Sequence, residues 1–250
     1  MERPDGARNW HTPHFEPNQR LLKIMKRRAL IFDLDGTLVD SLPDLAAALA
    51  TTWREIGAPA LPREQVRTMI GDGTSALVAR ALAASRLPPT MLDEALARFL
   101  ALYEAAPVTF SRPYPGVKQT LAALRADGRG LAVCTNKPQR LTMAVLRGLD
   151  LDSFFAAVVG GDALAVKKPD PAHLLAASRA LGASADDSVM IGDNEHDVAA
   201  AKAAGIPVIL VRYGYHRVPL DGLPADIRID AFSELPDAIA RLEGGATALA

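Results

Sequence analysis

A short, wholly apolar segment near the start of the chain ends abruptly at a carboxylate. It runs from Ala29 to Phe32, and Asp33 follows it directly. Runs of this length without polar alternation are typical of strands buried on both faces, as in a parallel sheet covered by helices. Similar runs recur downstream, the last of them weaker, at residues 131–134, 156–159, 188–191, 207–211 and 225–229. The sequence therefore predicts a mostly parallel sheet of five or six strands.

Segments with helical periodicity separate these runs. They are bounded by Pro or Gly and comprise residues 117–126, 139–149, 172–181 and 198–204. Alternation of strand and helix in this order is typical of a doubly wound, Rossmann-like α/β fold. Ligands of such sheets bind outside the carboxyl ends of the strands, so the polar residues that follow each strand are the candidate functional residues.

One part of the chain interrupts the alternation. No strand pattern is found from Pro43 to about Arg112, and the helices predicted there span residues 45–56, 63–70, 75–85 and 91–105. We expect an α/β catalytic core of residues 29–42 and 113–250, with residues 43–112 inserted as a helical cap. Pro43 and the segment 112–116 mark the two predicted hinges of the cap, which would act as a lid.

Composition excludes several classes of function. The chain has 250 residues, a net charge of −1 and one cysteine. This charge balance predicts no basic face, so no nucleic-acid partner is expected. A single cysteine excludes a disulfide framework and suits the cytoplasm. No run approaches the roughly 18 apolar residues of a membrane helix, so no membrane partner is expected either. A monomer or a homodimer is compatible with the sequence.

Residues 1–28 are expected to form an N-terminal extension outside the core, disordered or loosely helical. They are rich in Pro, His, Arg and Asn, and they lack the apolar region of a signal peptide. Met25 is followed by three basic residues and then by the first predicted strand. Either Met25 is the true start, or the preceding 24 residues form a tail.

Four polar clusters follow the predicted strands. They read Asp33-Leu34-Asp35-Gly36-Thr37, Thr135-Asn136, Lys167-Lys168-Pro169 and Gly192-Asp193-Asn194-Glu195-His196-Asp197. Because the carboxyl ends of parallel strands share one edge of a sheet, we expect these clusters to converge. Converging carboxylates repel each other unless a cation lies between them, and oxygen ligands beside phosphate favour Mg²⁺. Carboxylates, Mg²⁺ and lysine are the charges that phosphoryl transfer requires.

These clusters resemble the four signature motifs of the haloacid dehalogenase superfamily, in the same order. The helical insertion after the first motif is similar to the four-helix cap of that superfamily. Within it the chain most resembles the phosphoglycolate phosphatases, on the segments 67–73, 114–117, 199–205 and 213–215. The fourth motif departs from the usual Gly-Asp-Ser because Asn194 stands in place of the serine.

The resemblance implies a division of labour between two carboxylates. Asp33 would be the nucleophile that attacks phosphorus and would also bind Mg²⁺. Asp35 would protonate the leaving group and then deprotonate the hydrolytic water, while its backbone carbonyl binds the metal. The acid role requires a protonated Asp35, which burial beside other carboxylates would favour. An acid at this position implies phosphate chemistry, because a halide leaves without a proton.

Further roles follow from the same resemblance. Thr135 and Lys168 would hold the phosphoryl oxygens, with Asn136 as a further substrate-binding residue. The metal site would comprise Asp33, Asp35, Asp193 and Asp197. Whether Asp197 binds the metal directly or through water stays open, as does the choice between Lys167 and Lys168 for the phosphate.

The cap offers weaker signals. Residues 71–73, with Gly71 and Gly73 as candidate substrate-binding residues, form either a plain turn or a loop that reads the substrate. Arg67 is a candidate for binding a substrate carboxylate. His173, His196 and His216 are expected at the surface.

The function predicted is Mg²⁺-dependent hydrolysis of a small phosphomonoester through an aspartyl-phosphate, with 2-phosphoglycolate as the substrate. Three alternatives stay open: a phosphatase of another small sugar phosphate, a phosphomutase on the same scaffold, and a non-catalytic binding module. The complete set of motif residues argues against the last of these.

Overall fold

Six parallel strands form the centre of the fold, in the order β5-β4-β1-β6-β7-β8. The structure is a computed structural model that describes residues 28–245. The described strands are β1 Ala29–Phe32, β2 Val39–Asp40, β3 Arg112–Pro113, β4 Gly130–Cys134, β5 Ala157–Val159, β6 Ser188–Gly192, β7 Val208–Val211 and β8 Ile227–Ile229. The described α-helices are α1 Leu42–Glu55, α2 Arg63–Arg67, α3 Thr74–Ala84, α4 Leu92–Ala105, α5 Val117–Ala126, α6 Gln139–Gly148, α7 Pro171–Ala180, α8 Glu195–Ala204 and α9 Leu235–Gly245. The predicted doubly wound α/β class is confirmed.

Strand β1 lies in the middle of the sheet and is buried on both faces. Phe32 is in register with Val133 of β4 and with Ile191 of β6. Leu30 and Phe32 pack into the larger apolar cluster on one face, whereas Ile31 packs into a second cluster on the other. Full burial of such a side chain contributes about 1.5–3 kcal/mol, which explains why a strand of four residues is stable here.

The helical insertion packs on the same side as the larger apolar cluster. That cluster continues from β1 into the insertion, where Trp53 of α1 and Phe99 and Tyr103 of α4 are fully buried. The helices begin and end within a few residues of their predicted bounds. Helix α1 begins at Leu42, so Pro43 lies in its first turn.

Two short strands and one helix were not predicted. Strands β2 and β3 pair antiparallel at the base of the insertion, with Val39 opposite Pro113 and Asp40 opposite Arg112. Two residues are too few to show an alternating pattern, so such strands leave no signal in the sequence. Helix α9 packs against β8 and α5 and completes the cover of the sheet.

The predicted N-terminal extension lies outside the described residues, apart from Arg28. Within residues 28–245, no helix has the length and apolar character needed to cross a bilayer.

Candidate active site

Three buried carboxylates meet at the carboxyl edge of the sheet. Asp33 follows β1, Asp193 follows β6, and Asp197 lies in the first turn of α8. One oxygen of each carboxylate lies within 4.8 Å of the others, and all three residues are at most 5% exposed. We call these three residues the carboxylate cluster.

Close backbone packing fixes the carboxylate of Asp193. Its Oδ2 accepts a hydrogen bond of 2.6 Å from the backbone N–H of Tyr215, and its Oδ1 accepts one of 3.2 Å from the Thr37 hydroxyl. A Cβ added to Gly36, which has φ +91°, or to Gly214 would lie 2.3 Å from Asp193 atoms. Only glycine fits beside this carboxylate, which explains the Asp-Gly-Thr order of the first motif.

Asp197 both caps a helix and orients the site. Its Oδ2 accepts hydrogen bonds from the backbone N–H groups of Asp193, at 3.0 Å, and of Asn194, at 3.2 Å. Asn194 completes a capping box by accepting from the backbone N–H of His196, at 2.9 Å. The replacement of serine by asparagine therefore preserves the start of α8, because asparagine is an equally good N-cap residue.

Lys168 joins two members of the carboxylate cluster. Its Nζ lies 2.9 Å from Asp33 Oδ1 and 2.7 Å from Asp197 Oδ1, and its side chain is 1% exposed. The backbone N–H of Lys168 donates to His173 Nδ1 at 3.2 Å. The prediction that His173 lies at the surface is wrong: it is fully buried, and burial next to Lys168 lowers its pKa to about 4. A neutral His173 thus supports the loop that carries the lysine.

The carboxylate cluster carries more negative charge than Lys168 balances. Burial raises the pKa of Asp33 to about 6, with Lys168 acting against the shift and Asp197 adding to it. Burial, followed by repulsion from Asp197 and Asp33, raises the pKa of Asp193 well above its usual range. A set of oxygen donors with uncompensated charge fits a hard divalent cation such as Mg²⁺.

Asp35 is held by a lysine that the motifs did not identify. Lys137 Nζ lies 3.0 Å from both carboxylate oxygens of Asp35 and donates to the Tyr103 hydroxyl at 2.8 Å. Burial opposes the charge of Lys137, but attraction to Asp35 and Tyr103 holds its pKa above the usual value. The expected surroundings of Asp35, burial beside other carboxylates, did not include this cation. Lys137 follows Thr135-Asn136 directly, so its position after a strand was the available signal.

A small cavity of about 20 Å³ lies between the core and the insertion. Its lining comprises Asp33, Asp35, Leu45, Ile70, Gly71, Gly73, Thr74, Leu77, Thr135, Asn136 and Lys137. Asn136 links the two sides, because its Nδ2 donates to the backbone oxygens of Gly71, at 3.0 Å, and of Lys168, at 2.9 Å. Four of the predicted catalytic or substrate-binding residues in the core and both predicted glycines thus line one cavity, and Lys168 contacts it through Asp33.

The loop of residues 71–73, here called the cap loop, presses directly on the core. A Cβ at Gly73, which has φ +89°, would lie 2.7 Å from the backbone oxygen of Asn136. Lys167 Nζ, which is not buried, donates to the backbone oxygen of Asp72 at 2.7 Å. Of the two lysines considered for the phosphate, Lys168 thus contacts the carboxylate cluster, whereas Lys167 contacts the cap loop.

A second charged cluster fastens the cap loop. Asp72 forms ion pairs with Arg80 of α3 and with Arg217 of the core, and its carboxylate also contacts the His196 ring. We call these four residues the cap latch. Burial opposes the charge of Asp72, but hydrogen bonds from Arg217 and Arg80 lower its pKa to about 2. The prediction that His196 faces solvent is wrong, since its ring contacts the cap loop.

Arg67 lies beside the carboxylate cluster but does not line the cavity. Its Nη2 donates to the backbone oxygen of Gly214 at 2.7 Å, and its guanidinium lies 6.0 Å from the centre of the Tyr215 ring. Its predicted contact with a substrate carboxylate stays a prediction.

Carboxylates at the strand ends, a buried lysine between them and an inserted helical unit are the features of a capped α/β enzyme that uses strand-end aspartates. The family model described as "Haloacid dehalogenase-like hydrolase" matches residues 30–211. The chain belongs to this family.

Relatives of known sequence and structure refine the assignment. The chain is 47% identical to a phosphoglycolate phosphatase of Rhodospirillum rubrum over 84% of this chain and 90% of that protein. It is 41% identical to a phosphoglycolate phosphatase of Caulobacter vibrioides over 84% of this chain and 89% of that protein. A crystal structure described as a predicted phosphoglycolate phosphatase from Haemophilus somnus is 32% identical, with a TM-score of 0.81 over 84% of this chain and 97% of that one. The predicted resemblance to this subfamily is confirmed.

Proposed function

We propose that the protein hydrolyses a small phosphomonoester through a phosphoryl group carried by Asp33, with Mg²⁺ as cofactor and 2-phosphoglycolate as substrate. One observation carries the proposal: the carboxylate cluster is bridged by Lys168 and opens, through Asp33, Asp35 and Thr135, into a cavity under a helical cap. Carboxylates and a lysine that meet beside a cavity are suited to the transfer of a dianionic phosphoryl group.

Asp33 is the nucleophile in this proposal. A carboxylate oxygen of Asp33 attacks phosphorus, and the bond between phosphorus and the substrate's bridging oxygen breaks. Asp35, two residues further on and lining the same cavity, delivers a proton to that oxygen, so that the leaving group departs as an alcohol. During the transfer, the positive charge of Lys168 offsets the negative charge on the phosphoryl oxygens, and the Thr135 hydroxyl donates a hydrogen bond to them.

Water completes the reaction. Asp35 is now a carboxylate and takes a proton from a water molecule. The oxygen of that water attacks the phosphoryl group on Asp33. The bond between phosphorus and the Asp33 oxygen breaks, and inorganic phosphate leaves. The cap loop, fastened to the core, limits the water that reaches this intermediate.

The residues that would hold Mg²⁺ are the carboxylates of Asp33 and Asp193 and the backbone oxygen of Asp35. When bound, Mg²⁺ would supply Lewis-acid stabilisation of the charge on the phosphoryl oxygens. Asp197 suits a supporting role, because Lys168 occupies its Oδ1 and two backbone N–H groups occupy its Oδ2.

The substrate assignment draws support from the relatives. Relatives at 41% and 47% identity are named phosphoglycolate phosphatases.

The test is phosphate release with Mg²⁺ from 2-phosphoglycolate, several sugar phosphates, a nucleoside monophosphate and p-nitrophenyl phosphate. Wild type, Asp33→Asn and an exposed control, Asp150→Asn, are compared. We expect release to be fastest on 2-phosphoglycolate, to require Mg²⁺ and to vanish only in Asp33→Asn. A fully active Asp33→Asn enzyme would refute the mechanism, and preference for another ester would refute the substrate.

A phosphatase of a small sugar phosphate is the second candidate. A structural neighbour at 28% identity and a TM-score of 0.68, CbbY from Rhodobacter sphaeroides, is described as a complex with xylulose-(1,5)bisphosphate. Turnover of sugar phosphates above 2-phosphoglycolate in the same panel would favour this candidate. Turnover only of a hexose phosphate primed with a bisphosphate would instead indicate a phosphomutase.

A further inference from the structure

The cavity is lined by cationic and hydrogen-bonding groups that do not contact the phosphoryl group in the proposed mechanism. We propose that Lys137, the Thr74 hydroxyl and the N-terminus of α3 form a subsite for a carboxylate on the leaving group. The substrates would then be phosphomonoesters of short hydroxy acids. This inference rests on the proposed function and names the group that selects the substrate.

Lys137 supplies the positive charge of the subsite. It lines the cavity, and its side chain is 1% exposed and carries an ammonium group. Its Nζ lies 3.0 Å from the Asp35 carboxylate, which in the proposed mechanism contacts the leaving oxygen. A carboxylate separated from that oxygen by one carbon would therefore lie within reach of the same ammonium.

The first turn of α3 supplies further donors to the same cavity. Gly73 is the N-cap and Thr74 the first residue of this helix of 11 residues, and both line the cavity. No side chain caps the helix, and its first bond between N–H and carbonyl is made by Leu77, so the N–H groups of the first turn have no partner within the helix. Unpaired N–H groups and the helix dipole favour an anion at this end.

The Thr74 hydroxyl is a second, independent sign of a ligand. Thr74 is 8% exposed and lines the cavity, and no hydrogen-bond partner for its hydroxyl is found among residues 28–245. A hydroxyl without a protein partner, on a residue that lines a cavity, is free to donate to a bound polar group. A carboxylate oxygen can accept from this hydroxyl.

Apolar side chains limit the size of the group that fits. Leu45, Ile70 and Leu77 form the remaining walls and offer a polar substrate no hydrogen bond. A hydroxylated sugar would leave its hydroxyl groups unpaired against these walls, which costs binding free energy. A two-carbon acid places one methylene against them and its carboxylate on the polar side.

Lys137 is a better candidate for this contact than Arg67, which the sequence suggested. Arg67 donates to the Gly214 backbone and lies outside the cavity lining, whereas Lys137 lies within it. Lys137 also holds Asp35, so a change at Lys137 will slow every substrate. The test therefore compares two ligands within each variant.

The test uses stable analogues and isothermal calorimetry with Mg²⁺ present. 3-Phosphonopropionate replaces the bridging oxygen of 2-phosphoglycolate with a methylene, and propylphosphonate lacks its carboxylate. We expect wild type to bind the first about tenfold or more tightly than the second, as for a charge-assisted hydrogen bond. Thr74→Val should reduce this ratio several-fold, and Lys137→Met should reduce it to near one.

Matched controls and kinetics separate the possible failures. Thr68→Val makes the same change on an exposed cap threonine, and Lys118→Met removes a half-exposed lysine, so both should keep the wild-type ratio. A ratio that is near one in wild type, or unchanged in both Thr74→Val and Lys137→Met, would overturn the subsite. Absence of phosphate release by wild type would refute the proposed function instead, because the affinity ratio requires no hydrolysis.

Discussion

The carboxylate cluster and the cap latch lie in one site, yet they balance charge in opposite ways. In the carboxylate cluster three aspartates share one buried lysine, and burial raises the pKa of Asp33 to about 6. In the cap latch one aspartate faces two arginines, and its pKa falls to about 2. The negative charge of the carboxylate cluster is only partly balanced, so this cluster is suited to bind a cation. In the cap latch, the two arginines balance the charge of Asp72, so this cluster is suited to hold the cap loop in place.

Burial also separates the two clusters. Side chains of the carboxylate cluster are at most 7% exposed, whereas Asp72 is 18% exposed and Arg80 38% exposed in the cap latch. Breaking a buried ion pair leaves an uncompensated charge and is strongly destabilising, while partly exposed pairs are screened by water and contribute little. Changes in the carboxylate cluster should therefore have much larger effects than changes in the cap latch.

The largest effect is expected from Lys168→Met. Removing the buried ammonium that contacts both Asp33 and Asp197 should destabilise the metal-free protein by about 3–5 kcal/mol. It should also lower kcat about 10²–10³-fold, because the phosphoryl charge loses a partner. Urea denaturation in EDTA and steady-state kinetics with Mg²⁺ measure the two effects. Lys167→Met is the control and should stay near wild type in stability; a stronger loss there than in Lys168→Met would reverse the roles of the two lysines.

The next effect is a pH dependence that distinguishes the two clusters. Asp33 has a folded pKa of about 6, above the ordinary value of 3.8, so between these values the native state binds more protons than the unfolded state. Without metal, stability from this group is therefore complete below about pH 4 and is lost as the pH rises through 6, by up to about 3 kcal/mol. Urea denaturation in EDTA at several pH values measures it as the difference between wild type and Asp33→Asn.

Two outcomes of that titration bear on the comparison. Saturating Mg²⁺ should remove the loss, because the bound cation favours the ionised carboxylates and stabilises the native state. A difference between wild type and Asp33→Asn that does not change between pH 4 and 6 in EDTA would show that the carboxylate cluster is not under-compensated.

The smallest effect is expected in the cap latch. Asp72→Asn should lower stability at pH 7 by about 0.5–1 kcal/mol, because its pairs are partly exposed. The sign of its pH dependence is opposite: the folded pKa of about 2 lies below 3.8, so this contribution is present above pH 4 and is lost as the pH falls towards 2. Urea denaturation of both proteins at pH 7 and pH 3, at low and high salt, measures it. Asp150→Asn, at an exposed pair with Lys118, serves as the control.

A loosened cap loop should also affect substrate binding. We expect Asp72→Asn to raise KM several-fold with a smaller change in kcat, since the cap latch lies outside the reacting groups. A larger destabilisation by Asp72→Asn than by Lys168→Met would contradict the ranking of the two clusters.

The carboxylate cluster was predictable because strand ends fix its position. Asp33 follows β1 in the first motif, and Asp193 and Asp197 lie after β6 and at the start of α8 in the fourth. Parallel strands bring these positions to one edge of the sheet. The same rule applied to every residue after β4 would have included Lys137, whose partner Tyr103 lies on a helix of the insertion. The sequence gives no distance between that helix and the sheet, so this contact was not predictable.

The cap latch was not predictable for the same reason. Asp72 and Arg217 are 145 residues apart, and their contact depends on how the insertion sits on the core. No local pattern marks either residue as a partner of the other. A surface position was expected for His173 and His196 because no local pattern around a lone histidine reveals a buried hydrogen-bond partner or a contact with a distant carboxylate.

The most direct test of the central claim is to trap the phosphoryl group on Asp33. In Asp35→Asn, p-nitrophenyl phosphate needs no acid to lose its leaving group, but the intermediate lacks its base for hydrolysis. Mass spectrometry of peptides from enzyme quenched after a single turnover should show one phosphoryl group on Asp33, and none in the Asp33→Asn, Asp35→Asn double variant. A burst of p-nitrophenol equal to the enzyme concentration, with the phosphoryl group on another residue or on none, would contradict the account.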